Sequence, residues 1–399
     1  GPALVFFAGA ALGAFGLLRG LRWARETGTY APVAALAAIT LVWGVTAIFS
    51  TPYIAAKALA IAAPVVMLLA VAGLLADRGR LMALIAAAFI AAAAGSSLLA
   101  LRQAPVRPDA HSAELAEIRE VVQGEEVLYL GRDNFIAWEL RGSDEITGIV
   151  TNFYSVADVR GRFQKGEGGG EKFDIDAVFP QTLDDFRYIL ATTGGPSSSP
   201  PPRLVPVVET ENFVLYERRG LVGRRKTLDE GVEPGAVLEC PRDEPKPEAA
   251  RGKGTAQIWT TQPVIGAPAG WSPTPDPTDT QPASYELEVP AGRSLISLEY
   301  DSRRPLRVSS PELELDAELP ANLDFRGPSP FYPVAEVEVE ERTEARITVE
   351  VAEPNAFARL IRAPNEAHLR SISATPLGVI ERIQRRAMCD QYVDWYRAR

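Results

Sequence analysis

Residues of the kinds that perform catalysis are sparse in this chain of 399 residues. Its two histidines, His111 and His368, lie apart from any Ser or Cys framed by glycines, so neither a Ser-His-Asp nor a Cys-His arrangement is predicted. The sequence also lacks Cys/His metal-ligand spacing, a Walker motif and a GxGxxG that follows a strand. Catalytic residues therefore stay unknown from the sequence, and no metal site is predicted.

One cation, Lys57, lies inside an apolar stretch of the first quarter of the chain and not in a link between such stretches. Lys57 lies one turn after Tyr53 on a predicted helix that opens at Pro52, so the two side chains share a face. An ammonium and a hydroxyl beside the first free N–H groups of a helix are suited to binding a lipid phosphate. The alternative is a lysine that extends its charge to the membrane surface beside an interfacial tyrosine.

A second candidate site follows a predicted strand. The apolar run Glu126–Leu130 ends at Gly131, and the polar residues Arg132 and Asp133 come next. Open α/β sheets usually bind ligands beyond the carboxyl ends of their strands. We therefore expect Arg132 and Asp133 to belong to a ligand-binding loop.

Aromatic side chains of the last 150 residues are candidates for stacking on sugar rings. The four candidates for carbohydrate binding are Trp259, Trp271, Phe331 and Tyr332. Packing in a hydrophobic core is the alternative, and it is favoured for Trp259 and also for Tyr300. Trp271, Phe331 and Tyr332 lie in segments rich in Pro and Gly, where exposure is as well supported as burial.

The two cysteines, Cys240 and Cys389, lie in the polar part of the chain. An oxidising compartment would let them pair, and closing so long a loop is worth roughly 4–5 kcal/mol in the chain-entropy model. A disulfide is therefore predicted, with two buried free thiols as the alternative.

Two further polar segments are interpreted as structural rather than functional. Asp174 and Asp176 would share a strand face as paired carboxylates do, but a solvated strand edge is the favoured interpretation. The segment 197–202, Ser-Ser-Ser-Pro-Pro-Pro, is predicted to be a semi-rigid stretch of surface.

The candidate residues need elements to position them, and the first elements are apolar. Four stretches fill the first quarter: Pro2–Leu18, Tyr30–Phe49, Tyr53–Leu75 and Leu81–Leu101. A helix of about 20 residues crosses the hydrocarbon core of a bilayer, and the last three stretches reach that length. The first starts without a Met or a basic leader, so we interpret it as the remainder of a truncated helix in a longer protein. Residues 1–101 are thus predicted to be transmembrane helices with four spans; buried soluble helices are the alternative.

Charge divides the chain at the same point. Residues 1–101 hold six Lys/Arg and two Asp/Glu, a net charge of +4, and the whole chain carries −10, which leaves −14 on residues 102–399. The two Arg-rich links between spans are expected on the cytoplasmic side. Residues 102–399 would then be extracytoplasmic in a multi-pass protein of the cell membrane, with membrane lipids as partners. The acidic balance excludes a nucleic-acid partner.

Residues 102–240 are predicted to form a small extracytoplasmic α/β domain. Apolar residues recur at helical spacing after Ser112, and Tyr188–Thr192 has the composition of a second buried strand. Leu204–Glu209 and Phe213–Glu217 are predicted to form a hairpin.

Beyond this domain the hydrophobic period becomes two. Residues 241–282 are predicted to be a Pro-rich linker and sandwich entry, 283–375 an antiparallel β-sandwich, and 376–399 a C-terminal helix that carries Cys389. The first strand of the sandwich is expected at Ala256–Thr260, and its last strands at Phe357–Ile361 and Ser371–Ala374. The predicted fold class is therefore a multi-domain membrane protein: an α-helical transmembrane bundle, then a small α/β domain and a β-sandwich.

Three local segments carry a resemblance to a known class. They are Thr51-Pro-Tyr-Ile-Ala-Ala-Lys57, Phe186-Arg-Tyr-Ile-Leu-Ala-Thr192 and Asn212-Phe-Val-Leu-Tyr-Glu-Arg-Arg219. With the order of the domains, they resemble the C-terminal portion of bacterial GT-C-type membrane glycosyltransferases. The resemblance implies a polyprenyl-phosphate-linked sugar as donor and an acidic catalytic residue in the first extracytoplasmic loop. That loop would precede residue 1, as would the binding region for any divalent cation that such an enzyme uses.

Two functions from different classes follow. The leading hypothesis is the C-terminal part of a cell-envelope glycosyltransferase that takes a lipid-linked sugar at the outer membrane face and an envelope glycan as acceptor. The alternative is a non-enzymatic, membrane-anchored envelope protein whose β-sandwich binds polysaccharide or a protein partner.

Overall fold

The computed structural model divides the chain into two compact units. One comprises Gly1–Ala104 with Ala356–Ile361, and the other Pro105–Asn355 with Arg362–Arg399. The residues that the structure describes are 2–49, 52–76, 79–102, 109–131, 135–148, 157–158, 174–229, 233–241, 245–266, 282–322, 331–353, 359 and 367–398.

The first unit contains four apolar helices. They are α1 (Pro2–Thr27), α2 (Ala31–Phe49), α3 (Pro52–Leu75) and α4 (Arg80–Arg102). Three of them contain spans long and apolar enough to cross a membrane: Ala31–Phe49, Lys57–Leu75 and Arg80–Leu98. A membrane-associated helical segment is therefore present where the sequence predicts it.

Small residues let α1 and α3 approach at the level of their backbones. A Cβ added to Gly20 would lie 2.0 Å from the carbonyl oxygen of Leu69, and one added to Gly73 would lie 2.2 Å from the nitrogen of Gly20. The Nε of Arg19 donates a hydrogen bond to the carbonyl oxygen of Gly73 at 3.2 Å. Close approach through small residues is typical of helices that pack in membranes.

The second unit begins with a six-stranded sheet that has helices on its two faces. Its elements are α5 (Asp109–Val121), β1 (Glu126–Leu130), α6 (Ile136–Glu139), β2 (Glu145–Gly148), β3 (Ala157–Asp158), α7 (Pro180–Asp185), β4 (Tyr188–Thr192), β5 (Leu204–Glu209) and β6 (Phe213–Arg218). The strand order is β3-β2-β1-β4-β6-β5. The first four strands run parallel, and β6 and β5 complete the sheet in antiparallel fashion. Apolar residues of α5 cover one face and those around α7 cover the other.

A β-sandwich follows, as predicted. Its strands are β9 (Val264–Gly266), β10 (Ala283–Val289), β11 (Gly292–Ser302), β12 (Leu306–Ser310), β13 (Leu315–Leu319), β14 (Phe331–Val339), β15 (Thr343–Val351) and β16 (Ala367–Pro376). They form two sheets, β10-β15-β12-β13 and β14-β11-β16-β9. Side chains such as Leu298, Val308 and Ile347 alternate inward and share one apolar core.

The predicted C-terminal helix is wrong. Residues Ile380–Gln384 (β17) and Tyr392–Ala398 (β18) are strands, and they form a third antiparallel region, the C-terminal sheet, with the order β17-β8-β18-β7. Its other strands are β7 (Ala236–Val237) and β8 (Gly254–Trp259). Ile380, Ile383 and Met388 have helical spacing, but β17 and β18 instead pair with opposite sides of β8. This pairing satisfies the backbone hydrogen-bonding groups of β17 and β18. The strand expected at Ala256–Thr260 therefore belongs to this sheet and not to the sandwich.

In the sequence, the sandwich is inserted between strands β8 and β17 of the C-terminal sheet. The chain leaves β8 for the sandwich and returns directly beside it in β17, where the nitrogen of Thr260 donates to the carbonyl oxygen of Val379 at 2.8 Å. Cys240 and Cys389 are joined by a disulfide with their Cα atoms 5.4 Å apart, which is the predicted pairing. The bridge fastens two loops of the C-terminal sheet and not a terminal helix. The strand expected at Phe357–Ile361 lies outside the described residues except for Arg359.

Candidate functional site

The six-stranded sheet has a point at which its strand order reverses. From β1 the chain adds β2 and then β3 on one side, and it adds β4 on the other side. All four strands are parallel, so their carboxyl ends lie along one edge. In open α/β sheets the crevice between two such strands is the usual place for a ligand. The edge between β1 and β4 is therefore the candidate site.

Glycines lie at the carboxyl ends of β1 and of β2, its neighbour on the side away from β4. A Cβ added to Gly131, after β1, would lie 2.8 Å from the ring of Tyr129, and one added to Gly148, in β2, would lie 3.2 Å from the carbonyl oxygen of Tyr129. Both glycines are buried and lie against Tyr129, so this residue covers the backbone at the ends of β1 and β2. The predicted ligand residues Arg132 and Asp133 follow Gly131 directly but lie outside the described residues.

The sandwich packs against the turn that follows β4. A Cβ on Gly194 would lie 1.9 Å from the carbonyl oxygen of Phe331, and one on Gly195 would lie 2.8 Å from the Phe331 ring. Phe331 is half-buried at the start of β14. This candidate for sugar binding therefore packs against the turn that follows β4.

Two other predicted sugar-binding residues are buried, and this prediction is wrong for them. Tyr332 is 5% exposed, and its ring stacks on that of His111 at 5.5 Å between centroids. Trp259 is 6% exposed in the C-terminal sheet. Rings enclosed by protein on both sides offer no face to a sugar. Trp271, the fourth candidate, lies outside the described residues.

The carboxylate of Glu114 holds the turn of the hairpin and was not expected from the sequence. It accepts hydrogen bonds from the Thr210 hydroxyl at 2.6 Å, from the Asn212 backbone at 2.9 Å and from the Asn212 side chain at 2.7 Å. Glu114 lies on α5 and the hairpin joins β5 to β6, so no local sequence pattern links them. These bonds fix α5, and with it the buried His111, over the sheet.

A second group of polar residues lies buried between the six-stranded sheet and the C-terminal sheet. We call it the ionic joint, and it comprises Asp174, Asp176, Ser198, Ser199, Arg225, Gln257 and Asp394. Asp174 accepts from the backbone and hydroxyl of Ser198 at 3.0 and 3.1 Å. Asp394 accepts from the backbone of Ser199 at 3.0 Å and from its hydroxyl. The Arg225 guanidinium donates to the carbonyl oxygen of Ile175.

These positions correct two expectations. Asp174 and Asp176 are 4% and 1% exposed and lie in a turn, so they do not form a solvated strand edge. The Ser-Pro segment is not simply surface, because Ser198 is 2% exposed and Ser199 bonds a residue 195 positions away.

Burial shifts the protonation of the ionic joint. It raises the pKa of Asp394 to about 7, although hydrogen bonds from Ser199 and the charge of Arg225 oppose the rise. Burial lowers the pKa of Arg225, against the attraction of Asp176, Asp394 and Asp174. Three carboxyl groups thus face one guanidinium, and Asp394 exchanges its proton near neutral pH. Within the described ranges, no three acidic, His or Cys side chains are arranged to hold a metal ion.

In the membrane unit, Lys57 lies in the second turn of α3 with an exposed side chain. Tyr53 belongs to the first turn of the same helix, and its side chain lies outside the described part of the structure.

No family model matches the chain, and no curated protein matches it either. A solved structure with a local match is the GH26-CBM35 β-(1,4)-mannanase of Podospora anserina, which is 11% identical with a TM-score of 0.18. The match covers 31% of this chain and 28% of the mannanase chain, so the chain spans about a quarter of the length of that protein. A likeness of this size carries no inference about fold or function.

Proposed function

We propose that this chain is the C-terminal part of an integral-membrane glycosyltransferase of the cell envelope. It would take a polyprenyl-phosphate-linked sugar at the outer face of the membrane and bring it to an envelope glycan. The observation that carries the proposal is the succession, along the chain, of apolar helices and a parallel sheet whose strand order reverses between β1 and β4. An enzyme that joins a lipid-linked substrate to a soluble acceptor needs both a membrane segment and a soluble binding domain.

The disulfide supports an extracytoplasmic position for residues 102–399. Structural disulfides persist in oxidising compartments and are rare in the cytosol. The Arg-rich links between the helices point the same way, since positively charged loops favour the cytoplasmic side.

In this proposal the chain contributes the substrate-binding residues that the sequence predicts. Lys57 and Tyr53 hold the donor phosphate at the opening of α3. Arg132 and Asp133 contact the sugar or the acceptor at the carboxyl end of β1. The non-enzymatic alternative, a sandwich that binds polysaccharide through aromatic rings, loses support because Tyr332 and Trp259 are buried.

Donor binding is tested on Lys57 in the full-length protein. Decaprenyl phosphate should bind the wild type more tightly than Lys57→Gln by about 1.5–3 kcal/mol, as expected for a hydrogen bond to a charged group. Lys57→Arg should keep most of the affinity, and the uncharged decaprenol should not distinguish the variants. Equal phosphate affinity in wild type and Lys57→Gln would leave Lys57 as an interfacial anchor.

Transfer itself is tested with membranes that contain the full-length protein and a panel of polyprenyl-phosphate sugars. Release of polyprenyl phosphate from one donor is expected, and Arg132→Gln with Asp133→Asn should lower the rate without changing the amount of protein. If no donor in the panel is consumed while decaprenyl phosphate still binds, the chain binds lipid phosphates without being a transferase.

Topology has its own test. A cysteine introduced at Gly168 should react with a membrane-impermeant maleimide in intact cells, because residues 102–399 would lie outside. Reaction only after lysis would place this region in the cytoplasm and remove the glycan acceptor from the proposal.

A further inference from the structure

One end of the C-terminal sheet gathers positive charge from three separate segments, 246–253, 385–386 and 397. Strand β8 starts there, and β17 and β18 end there, because Thr255 pairs with Gln384 on one side and with Arg397 on the other. The 3-10 helices Glu248–Ala250 and Arg385–Ala387 pack together at the same end. We call this surface the basic end, and its cations are Lys246, Arg251, Lys253, Arg385, Arg386 and Arg397.

Hydrogen bonds to backbone carbonyls hold several of these side chains in place. Arg385 donates to Ala249 at 2.6 Å and to Glu248 at 2.8 Å, and its guanidinium lies 5.2 Å from the centre of the Tyr396 ring. Lys246 donates to the carbonyl oxygen of Arg386 at 3.0 Å, and Arg251 donates to that of Lys246. With Arg397, which donates to the Thr255 hydroxyl at 3.2 Å, four of the six cations are therefore held in place.

The described carboxylates form no ion pair with this group, and Glu248 is the one described acidic residue within its 3-10 helices. None of the six cations forms an ion pair with an Asp or Glu among the described residues, whereas arginines elsewhere in the unit, such as Arg187 and Arg307, do. Five of the six are exposed, and Arg385 is half-buried. Such a concentration is unusual in a chain with a net charge of −10, and it sets up a local positive potential.

We propose that the basic end binds a polyanionic glycan, a polysaccharide that carries carboxylate or phosphate groups. Guanidinium groups match the geometry of both anions. The proposal stands whether or not the chain transfers sugars, because the basic end shares no strand with the crevice between β1 and β4.

Other polyanions fit less well. Insertion into a bilayer needs exposed apolar side chains, and the exposed large apolar residues of the described chain include none from 245–255, 382–387 or 396–397. Purely electrostatic attraction to anionic lipids is the outcome that the vesicle measurement below tests. Nucleic acid belongs to compartments where a structural disulfide such as Cys240–Cys389 is rare. A soluble polymer with spaced anionic groups remains the partner that suits an exposed, fixed group of cations.

The test compares two triple variants of the full chain in zwitterionic nanodiscs. The first, Lys253→Gln with Arg386→Gln and Arg397→Gln, removes three charges from the basic end. The control, Arg203→Gln with Arg293→Gln and Arg346→Gln, removes three charges from exposed positions outside the C-terminal sheet. Both variants have the same net charge, so only the location of the charge differs. The probe is fluorescein-labelled polygalacturonate, with uncharged dextran of equal length for comparison.

Wild type and control should bind polygalacturonate alike, and the basic-end variant should bind about tenfold more weakly. The slope of log Kd against log salt should fall by about 2–3 in that variant, because fewer counterions are released. The proposal would be overturned if both triple variants bound polygalacturonate equally weakly, or if the wild type bound uncharged dextran as tightly as polygalacturonate. Loss of binding to phosphatidylglycerol vesicles with unchanged polygalacturonate binding would also overturn it and assign the surface to a membrane.

Discussion

The sandwich core and the ionic joint are two buried interiors of the same unit, one made of apolar side chains and the other of charged and polar ones. The sandwich buries Leu298, Tyr300 and Ile347, all 0% exposed, with apolar neighbours on both sheets. The ionic joint buries Asp394 to the same extent beside Arg225. Apolar burial tolerates changes of shape, whereas a buried charge is stable only with its particular partners.

The difference lies in what each interior contributes. Burying one Leu or Ile side chain stabilises a fold by about 1.5–3 kcal/mol, and many such side chains add up in the sandwich. Burying an ion costs several kcal/mol before its partners offset the loss. The sandwich therefore supplies stability, and the ionic joint fixes how the six-stranded sheet and the C-terminal sheet meet.

The largest effect is expected from the disulfide that holds the C-terminal side of the joint. Cys240 and Cys389 are separated by 149 positions, so Cys240→Ser with Cys389→Ser should lower the free energy of unfolding by up to about 5 kcal/mol. Urea denaturation of the full chain, followed by tryptophan fluorescence, measures it. A double variant as stable as the oxidised wild type would show that sheet pairing alone holds these loops.

Arg225→Met comes next, with an expected loss of about 3–5 kcal/mol, because three buried carboxyl groups then lack their cation. Arg346→Met, at an exposed position, is the matched control and should change little. If both variants unfolded at the same urea concentration, the joint would contribute no more than an ordinary surface.

Leu298→Ala probes the apolar interior. The expected loss is about 3 kcal/mol from the lost transfer free energy and the cavity that remains. The loss should be equal at pH 5 and pH 8, since the side chains that pack around Leu298 are apolar or aromatic and the buried Asp301 of the same strand is paired with Arg370 in both wild type and variant. A loss that changed with pH would contradict the contrast between the two interiors.

Asp394→Asn is expected to change mainly how the free energy of unfolding depends on pH. The folded state holds the Asp394 proton up to a pKa of about 7, above the unfolded value. The native state therefore binds more protons between about pH 4 and pH 7, and stability falls as pH rises through that window. The contribution is at most about 1.4 kcal/mol per pH unit, and Asp394→Asn should remove it. An unchanged slope between pH 4 and 7 in the variant would contradict the assignment.

Local pattern predicted much of the fold. The apolar helices, the strand Tyr188–Thr192 and the hairpin of β5 and β6 lie where periodicity places them. The alternating strands of the sandwich were also identified, because a two-residue period is visible within a single strand. The disulfide partners could be predicted without any sequence pattern, since Cys240 and Cys389 are the two cysteines of the sequence.

The C-terminal sheet and the ionic joint depend on contacts that no short window contains. Strand β17 follows the whole sandwich before it pairs with β8, and Asp394 meets Ser199 across 195 positions. The sequence by itself determined where apolar faces and helices form, because the hydrophobic period is a local property. Only the tertiary structure decided that Asp174, Asp176 and Asp394 are buried and that Tyr332 is covered, because burial depends on which distant segments pack against a residue.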